Sequence, residues 1–248
     1  MNGIIIVDKP QGWTSFDVCN KIRHLTGTKK VGHSGTLDPM ATGLLPVFLG
    51  SATKSVSHFV SGEKGYIAEM TLGVRTDTLD ATGKALTALT QVNTGENVLV
   101  IHPLPEGEGL QVKEVFEKYV GKIKQKPPMF SAKKINGKRL YKLARKGEVV
   151  EREEKEVEIY KLEILKIEND KITFEVMCSK GTYVRVLAAD IGDDLGCGAH
   201  LSALRRIYSH PFHISQALDM KTIENLAMIG KLDTVVLPVE DFYSTKLQ

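Results

Sequence analysis

Residues 171–178 read KITFEVMC, a run in which apolar side chains alternate with mostly polar ones. Successive side chains of a β-strand point to opposite faces, so this alternation predicts a strand with one buried face. Residues 157–167 also have strand character, and Glu168-Asn169-Asp170 between the two runs has the composition of a hairpin turn. The chain is therefore expected to contain an antiparallel β-hairpin.

Helical periodicity occurs elsewhere in the chain. Thr14 and Asp17 have the spacing of a capping box, an apolar stripe follows them, and Gly27 marks a natural helix end. Glycines, threonines and prolines punctuate residues 73–110, and the GVRTDTLDATG part of this segment (73–83) is predicted to be a loop with ordered turns. This mixture of elements predicts an α+β fold with a mixed, largely antiparallel central sheet and flanking helices. The other segments with strand or helix periodicity are residues 4–7, 51–60, 66–72, 111–120 and 182–195.

Length and composition exclude several classes of protein. A chain of 248 residues is long enough to bury a core without covalent cross-links. Its three cysteines are odd in number, far apart and without CxxC spacing, so neither a disulfide framework nor a zinc site is indicated. The apolar run at residues 4–7 is too short for a signal peptide or a membrane span. We expect a cytoplasmic protein that does not associate with membranes.

Positive charge is concentrated in one segment. The formal net charge is +3, yet residues 121–147 contain ten lysines and arginines and no acid, which leaves −7 for the other residues. Phe130 and Tyr141 lie among these cations, a combination that suits a polyanion with stackable bases better than a membrane surface. A solvated, lysine-rich surface is the alternative interpretation. The ten cations are Lys122, Lys124, Lys126, Lys133, Lys134, Lys138, Arg139, Lys142, Arg145 and Lys146.

The segment 32–46, GHSGTLDPMATGLLP, places His33 and Asp38 between small-residue turns. Aspartate before proline is a common turn former, so Asp38 is either a turn residue or a reactive carboxylate presented by the turns. Further metal ligands at useful spacing are lacking, and the Lys-Ser/Thr ending of a phosphate-binding P-loop is lacking too. Tyr66 on its strand is most simply a core aromatic with its hydroxyl at the rim.

Arg185 is unusual because of its place on the predicted helix. If Thr182 caps this helix, Arg185 lies in the first turn, where the helix macrodipole disfavours a cation. A carboxylate should compensate it. The candidates are Asp38, in a charge-assisted pair, and the nearby aspartates Asp190, Asp193 and Asp194.

Several sequence motifs, which follow one another in a fixed order along the chain, indicate its family more specifically than these general arguments do. The sequence VGHSGTLDPMATGLLPV resembles the catalytic loop of the bacterial tRNA pseudouridine-55 synthases, the TruB family. The resemblance covers residues 3–210, and it implies the pseudouridine synthase fold. The other matching segments are DKPQGWTSFDV (8–18), GYIAEMTLGVRTDTLDATG (65–83), KPPMFSAKKINGKRLYKLARKG (126–147) and CSKGTYVRVLAADIGDDLGCGAHLSALRR (178–206).

The resemblance implies roles for individual residues. Asp38 would attack the target uridine, Tyr66 would stack on the flipped-out base and move a proton, and Arg185 would pair with Asp38. His33 would fill the space that the extruded base leaves in the RNA loop. The other implied substrate-binding residues are Tyr183 and Leu204, which shape the pocket, and Lys9, Lys133, Lys134, Lys138 and Arg139.

The implied reaction detaches a uracil from C1′, rotates it and rejoins it through C5, so we expect neither a cofactor nor a metal. The expected partner is the T-arm of tRNA, with no guide RNA, and the expected state is a monomer. A catalytic domain is predicted over 1–210, with a basic, thumb-like RNA-binding loop at about 122–150. A short tail, 211–248, would leave no complete C-terminal PUA domain, which predicts weaker tRNA binding with unchanged target choice.

Three other functions are compatible with part of these features. A non-catalytic tRNA chaperone would need the basic segment and Tyr66 but not Asp38. The guide-dependent branch of the superfamily would need partner proteins, and the extended basic loop speaks against it. A metal-dependent hydrolase would need ligands that the sequence lacks.

Overall fold

The computed structural model describes residues 1–86, 109–131, 133–135, 137–144 and 146–243. The helices of these residues are α1 (Ser15–Thr26), α2 (Val56–Val60), α3 (Gly109–Glu117), α4 (Leu140–Ala144), α5 (Val184–Asp194) and α6 (Met220–Met228). The strands are β1 (Gly3–Lys9), β2 (Val31–His33), β3 (Thr42–Leu49), β4 (Lys64–Leu72), β5 (Arg75–Thr76), β6 (Ala85–Leu86), β7 (Gly121–Gln125), β8 (Lys134–Ile135), β9 (Lys138–Arg139), β10 (Lys155–Glu168), β11 (Lys171–Cys178), β12 (Ala199–Ser209), β13 (Phe212–His213) and β14 (Leu218–Asp219).

The chain divides into two units, and the division falls inside strands β4 and β12. The first unit comprises Met1–Tyr66 and Leu204–Gln248, and the second comprises Ile67–Ala203. The division of the sequence at residue 210 stays a prediction.

The first unit is built on a mixed sheet. Strand β1 pairs antiparallel with β3 along its whole length and parallel with β14. Strand β12 pairs parallel with β3, which brings Arg205 opposite Thr42. Helices cover one face of this sheet: Ile5 and Val7 pack in a cluster with residues of α1 and α6. The alternate residues of β1 join a second apolar cluster on the other face, which explains why its sequence is a continuous apolar run rather than an alternating one.

The second unit is built around the predicted hairpin. Strands β10 and β11 pair antiparallel up to Glu168 opposite Lys171, and β7 pairs antiparallel with β10. Asn169 in the turn has a φ of 53°, a left-handed conformation that asparagine tolerates. Helix α3 packs onto the hairpin, where the rings of Phe116 and Phe174 lie 5.6 Å apart in an edge-to-face arrangement.

The predicted α+β class with a mixed, largely antiparallel sheet is confirmed. Helix α1 begins with the predicted capping box, and Gly27 ends it in the left-handed conformation. Other predictions differ in detail: Tyr183 rather than Thr182 precedes α5, and the segment predicted as a loop after residue 73 contains the small β5–β6 hairpin. Strand β12 was not predicted. Within the described residues, every helix is too short or too polar to cross a bilayer.

Candidate active site

Asp38 lies in the loop between β2 and β3, where several backbone hydrogen bonds order the chain. The amide of Ala41 donates to the carbonyl of Asp38 (3.0 Å), closing a turn around the aspartate. Gly12, in the loop after β1, donates to the carbonyl of Pro39 (2.7 Å). The carboxylate is therefore presented by a constrained turn, and Asp38 is partly exposed.

Helix α1 fixes the same loop through Ser15. The buried hydroxyl of Ser15 accepts a hydrogen bond from the Leu37 amide (2.9 Å) and donates one to the Leu37 carbonyl (3.2 Å). A serine at the first position of the helix thus satisfies both backbone groups of the residue before Asp38. The capping box of Thr14 and Asp17 fixes the start of the helix from which this contact is made.

Lys9 lies beneath the loop and is fully buried. Its ammonium donates to the carbonyls of Trp13 (2.7 Å), Pro10 (2.9 Å) and Pro39 (3.4 Å). Burial lowers the pKa of Lys9 to about 8, nearby Arg206 lowers it further, and the Asp38 carboxylate acts in the opposite direction. Lys9 thus ties the loop after β1 to the Asp38 loop. Its predicted contact with substrate stays a prediction.

Arg206, which the sequence analysis did not single out, is the largest fully buried side chain of the described residues. Its Nε donates to the Leu44 carbonyl (2.7 Å), and its Nη2 donates to the Gly35 carbonyl (3.2 Å) in the Asp38 loop. The guanidinium also shares a hydrogen bond with the hydroxyl of Tyr66. The sequence signal was weak because a charged residue is normally assigned to the surface.

Three further predicted site residues lie in the first unit. Tyr66 is buried near the start of β4, as predicted for a core aromatic. His33 is partly buried on β2; burial, and secondarily the charge of Arg206, lower the pKa of its imidazole, which favours the neutral form at physiological pH. Leu204 on β12 is partly buried.

Arg185 lies in the first turn of α5, in the second unit, and a buried carboxylate compensates it as the sequence analysis required. That carboxylate is Asp80, whose Oδ2 lies 3.6 Å from Nη1 of Arg185. The other oxygen of Asp80 accepts hydrogen bonds from Thr78 and Thr82 in the same loop. Asp80 was missed because it lies far from Arg185 in sequence. The expected pair between Arg185 and Asp38 joins residues of different units and stays a prediction.

Arg185 and its neighbour Tyr183 also contact the beginning of the basic segment. Nη2 of Arg185 donates to the Phe130 carbonyl (2.5 Å). The buried amide of Gln125 accepts from the Tyr183 backbone N–H (3.0 Å) and donates to the Tyr183 carbonyl (3.4 Å). The first turn of α5 is therefore held against the end of β7 and against Phe130, both within the basic segment.

Most cations of the basic segment are more exposed than the buried cations Lys9, Arg185 and Arg206. Lys138 is exposed, and Lys133 is partly buried with a pKa lowered by burial and by nearby Lys155. Lys134 pairs with Arg139 in the β8–β9 hairpin, and the side chains of these two residues lie outside the described ones. Arg145 lies outside them altogether. The predicted RNA contacts of these residues stay predictions.

The first unit therefore combines a carboxylate on a constrained turn with a buried tyrosine and buried cations that hold the surrounding backbone. This arrangement suits a fixed nucleophile with a proton-transfer group. Within the described part of the chain, no three His, Cys, Asp or Glu residues cluster in a way that could hold a metal ion.

Comparison with known proteins identifies the family. Residues 23–184 match the family model of the TruB family pseudouridylate synthase N-terminal domain. This chain belongs to the TruB family. Residues 185–243 match the model of the tRNA pseudouridylate synthase B C-terminal domain. The family resemblance drawn from the sequence motifs is thus confirmed.

Curated relatives of this TruB-family chain are similar over nearly its whole length. It is 49% identical over 239 residues to the tRNA pseudouridine synthase B of Geotalea uraniireducens, covering 96% of this chain and 73% of the relative. It is 44% identical over 241 residues to the protein of the same name from Geobacter sulfurreducens, covering 97% of this chain and 75% of that one.

Solved structures confirm the pseudouridine synthase fold. A chain of a Cbf5-Nop10-Gar1 complex superposes with a TM-score of 0.72 at 29% identity over 96% of this chain. A chain of an H/ACA RNP bound to a substrate RNA containing 2′-deoxyuridine gives a TM-score of 0.69 at 26% identity over the same share. This TruB-family chain spans 60% and 59% of the length of those two chains.

Proposed function

We propose that this chain is a tRNA pseudouridine synthase that isomerises uridine 55 in the T-loop of tRNA, with Asp38 as the nucleophile. The observation that carries the proposal is the position of Asp38 in a chain of the TruB family. Its carboxylate sits on a turn that Ser15, Gly12 and Lys9 hold from three directions. Such restraint is what a nucleophile needs to meet its target atom in a productive geometry.

Two further side chains complete the proposed chemistry. Arg185 pairs with Asp38 and keeps the carboxylate ionised, because a nearby positive charge favours the charged form of an acid. Tyr66 stacks on the uracil and carries a proton during isomerisation. The attack is at C1′ or on the base; either route needs one nucleophile and leaves the overall composition of the nucleoside unchanged.

The target uridine lies inside a folded RNA loop, so it must be extruded before reaction. Extrusion costs a few kcal/mol, and stacking on Tyr66 offsets part of that cost. His33 occupies the space that the base vacates. The exposed lysines of the basic segment bind phosphates of the T-arm, which makes binding sensitive to salt.

The test is tritium release from a tRNA transcript labelled at C5 of its uridines, because only glycosylation at C5 expels that label. We expect release of about one tritium per tRNA from the native chain and from Asp233→Asn, an exposed control aspartate. Asp38→Asn should release none while binding the same tRNA with similar affinity.

Three outcomes would contradict the proposal. Tight tRNA binding by the native chain without any tritium release would favour a tRNA-folding chaperone. Release by Asp38→Asn at the native rate would mean that another carboxylate is the nucleophile. Release that required added cellular RNA would instead favour a guide-dependent enzyme.

A further inference from the structure

Arg206 is a buried charged group that the proposed function does not use. It lies on β12, and its guanidinium bonds the Leu44 carbonyl on β3 and the Gly35 carbonyl in the Asp38 loop (2.7 and 3.2 Å). The packing is close: a Cβ added to Gly35 would lie 3.3 Å from Nη1 of Arg206. The guanidinium is therefore held in one position beside the loop that carries the nucleophile.

The charge of Arg206 has no acidic ion-pair partner among the described residues. Within the described residues, no carboxylate lies at ion-pair distance from its guanidinium, whose partners are two carbonyls and the hydroxyl of Tyr66. Burying a cation without a counter-ion is costly, since carbonyl dipoles replace only part of its hydration. Negative charge that develops on a hydrogen-bond partner of this cation is consequently stabilised.

Tyr66 is the partner on which such charge can develop. A guanidinium has donors and no acceptor, so in this hydrogen bond the phenolic oxygen must accept. Tyr66 is itself buried, and in a medium of low polarity an interaction between ionised groups is stronger than in water.

We propose that Arg206 is a positioning residue that fixes the Tyr66 hydroxyl relative to the Asp38 loop and stabilises the phenolate through which Tyr66 accepts a proton. The inference rests on the proposed function, because it assigns a cause to the proton transfer that Tyr66 carries out there.

The proton transfer balances without a further reactant. The Tyr66 hydroxyl first gives its proton to solvent water and leaves a phenolate beside Arg206. The phenolate oxygen then takes the proton that leaves C5 of the rejoined base, while the electron pair of that C–H bond returns to the pyrimidine ring. Tyr66 is again a phenol, and loss of its proton to water begins the next cycle.

The other cations near Arg206 act in the same direction. Lys9 on β1 is a cation and interacts electrostatically with Arg206. Lys64 on β4 approaches the same glycine, with its Cε 3.9 Å from the position of an added Gly35 Cβ. His33 on β2 also interacts electrostatically with Arg206, and the carboxylates of Asp38 and Asp17 interact with Lys9.

The first experiment compares single-turnover tritium release by Arg206→Met and Arg206→Lys with that of the native chain at saturating tRNA. Loss of a fixed donor at a developing negative charge costs about 10²- to 10³-fold in rate. We expect a loss of that size in Arg206→Met, a smaller one in Arg206→Lys, and tRNA affinity within about 3-fold of native for both. The rising limb of the pH–rate profile should shift to higher pH in both variants.

Arg205→Met is the matched control. Arg205 precedes Arg206 on the same strand, but it is partly exposed and makes a bidentate pair with Asp8 (3.1 and 2.6 Å). Its loss should leave the pH–rate profile in place. Thermal unfolding of all variants identifies any variant that fails to fold.

The second experiment measures the ionisation of Tyr66 without an activity assay. Fluorine NMR of chain labelled with 3-fluorotyrosine, with the Tyr66 signal assigned by Tyr66→Phe, follows the ionisation of this side chain. The midpoint should lie about one pH unit or more lower in the native chain than in Arg206→Lys or Arg206→Met. It should also lie lower in the native chain than in the urea-denatured chain, a comparison that needs no variant.

A Tyr66 midpoint that does not change on substitution, or that is not lower in the folded native chain, would overturn the proposal. So would a uniform loss of rate at every pH, which indicates a purely structural arginine. If the native chain released no tritium, the proposed function would fail, and the fluorine titration would still decide the role of Arg206.

Discussion

The Asp38 region of the first unit and the basic segment of the second use the same residue types in opposite ways. Lys9 and Arg206 are fully buried, and each donates to two or more backbone carbonyls. Lys124, Lys126, Lys138 and Lys142 in the basic segment are exposed to solvent. The buried cations Lys9 and Arg206 fix the position of the backbone, whereas the exposed cations attract phosphates over a distance.

Because of this difference, substitutions of buried cations and of exposed cations should change different measured quantities. Loss of a buried cation alters the geometry of the Asp38 loop, so it should lower the rate of reaction and the stability of the fold. Loss of exposed lysines should lower RNA affinity and leave the rate at saturating RNA unchanged. Arg185 is a useful test of this distinction, because it lies in the second unit but is buried.

The largest expected effect on stability is that of Asp80→Ala. Asp80 is the buried carboxylate beside Arg185 in the second unit, and loss of one partner of a buried pair costs about 3–5 kcal/mol. Urea unfolding should show a decrease of that size, together with slower tritium release at unchanged tRNA affinity.

Asp77→Ala is the matched control, because Asp77 is an exposed aspartate of the same loop. It should lower the free energy of unfolding by about 1 kcal/mol or less. Equal losses from the two substitutions would show that Arg185 does not depend on Asp80.

The second prediction concerns the basic segment. Replacing Lys124, Lys126, Lys138 and Lys142 by glutamine should reduce the slope of log K against log salt for tRNA binding by about 3, since each phosphate contact contributes about 0.7–0.9. The rate of single-turnover tritium release at saturating tRNA should stay near that of the native chain.

The control replaces Lys161, Lys166 and Lys171 of the β10–β11 hairpin, which pair with glutamates. A changed rate at saturation would mean that these lysines also act on catalysis.

The third prediction is the effect of Lys9→Met. The substitution leaves buried carbonyls without a donor, which costs about 1–3 kcal/mol of stability. Because burial lowers the pKa of Lys9 to about 8, the folded chain binds fewer protons than the unfolded chain between about pH 8 and 10.5. Stability from this group rises with pH across that window, so the difference between native and Lys9→Met in urea unfolding should grow from pH 8 to pH 10. A constant difference would contradict the prediction.

Local interactions explain which parts of the fold were predictable. The Thr14 capping box, the left-handed Gly27 and the alternation of β11 each depend on residues a few positions apart, and all three are present in the structure. The family motif could single out Asp38 as the candidate nucleophile for a similar reason, since its loop is contiguous in sequence.

The interactions that were missed join distant parts of the chain. Strand β12 contains Arg206, and a buried arginine interrupts the apolar pattern by which a strand is normally found. Asp80 could not be matched with Arg185 because nothing local distinguishes it from the other aspartates that were considered. Both omissions concern charged residues whose burial only the tertiary structure reveals.

The smallest expected effect is that of Thr14→Ala at the start of α1. Thr14 is an exposed cap residue, and loss of such a cap costs about 1 kcal/mol. Its neighbour Ser15 is buried and bonds both backbone groups of Leu37. Thr14→Ala should therefore lower the free energy of unfolding without changing single-turnover release, whereas Ser15→Ala should lower both. If Thr14→Ala slowed release as much as Ser15→Ala, the Asp38 loop would depend on the whole helix terminus rather than on the Ser15 hydroxyl.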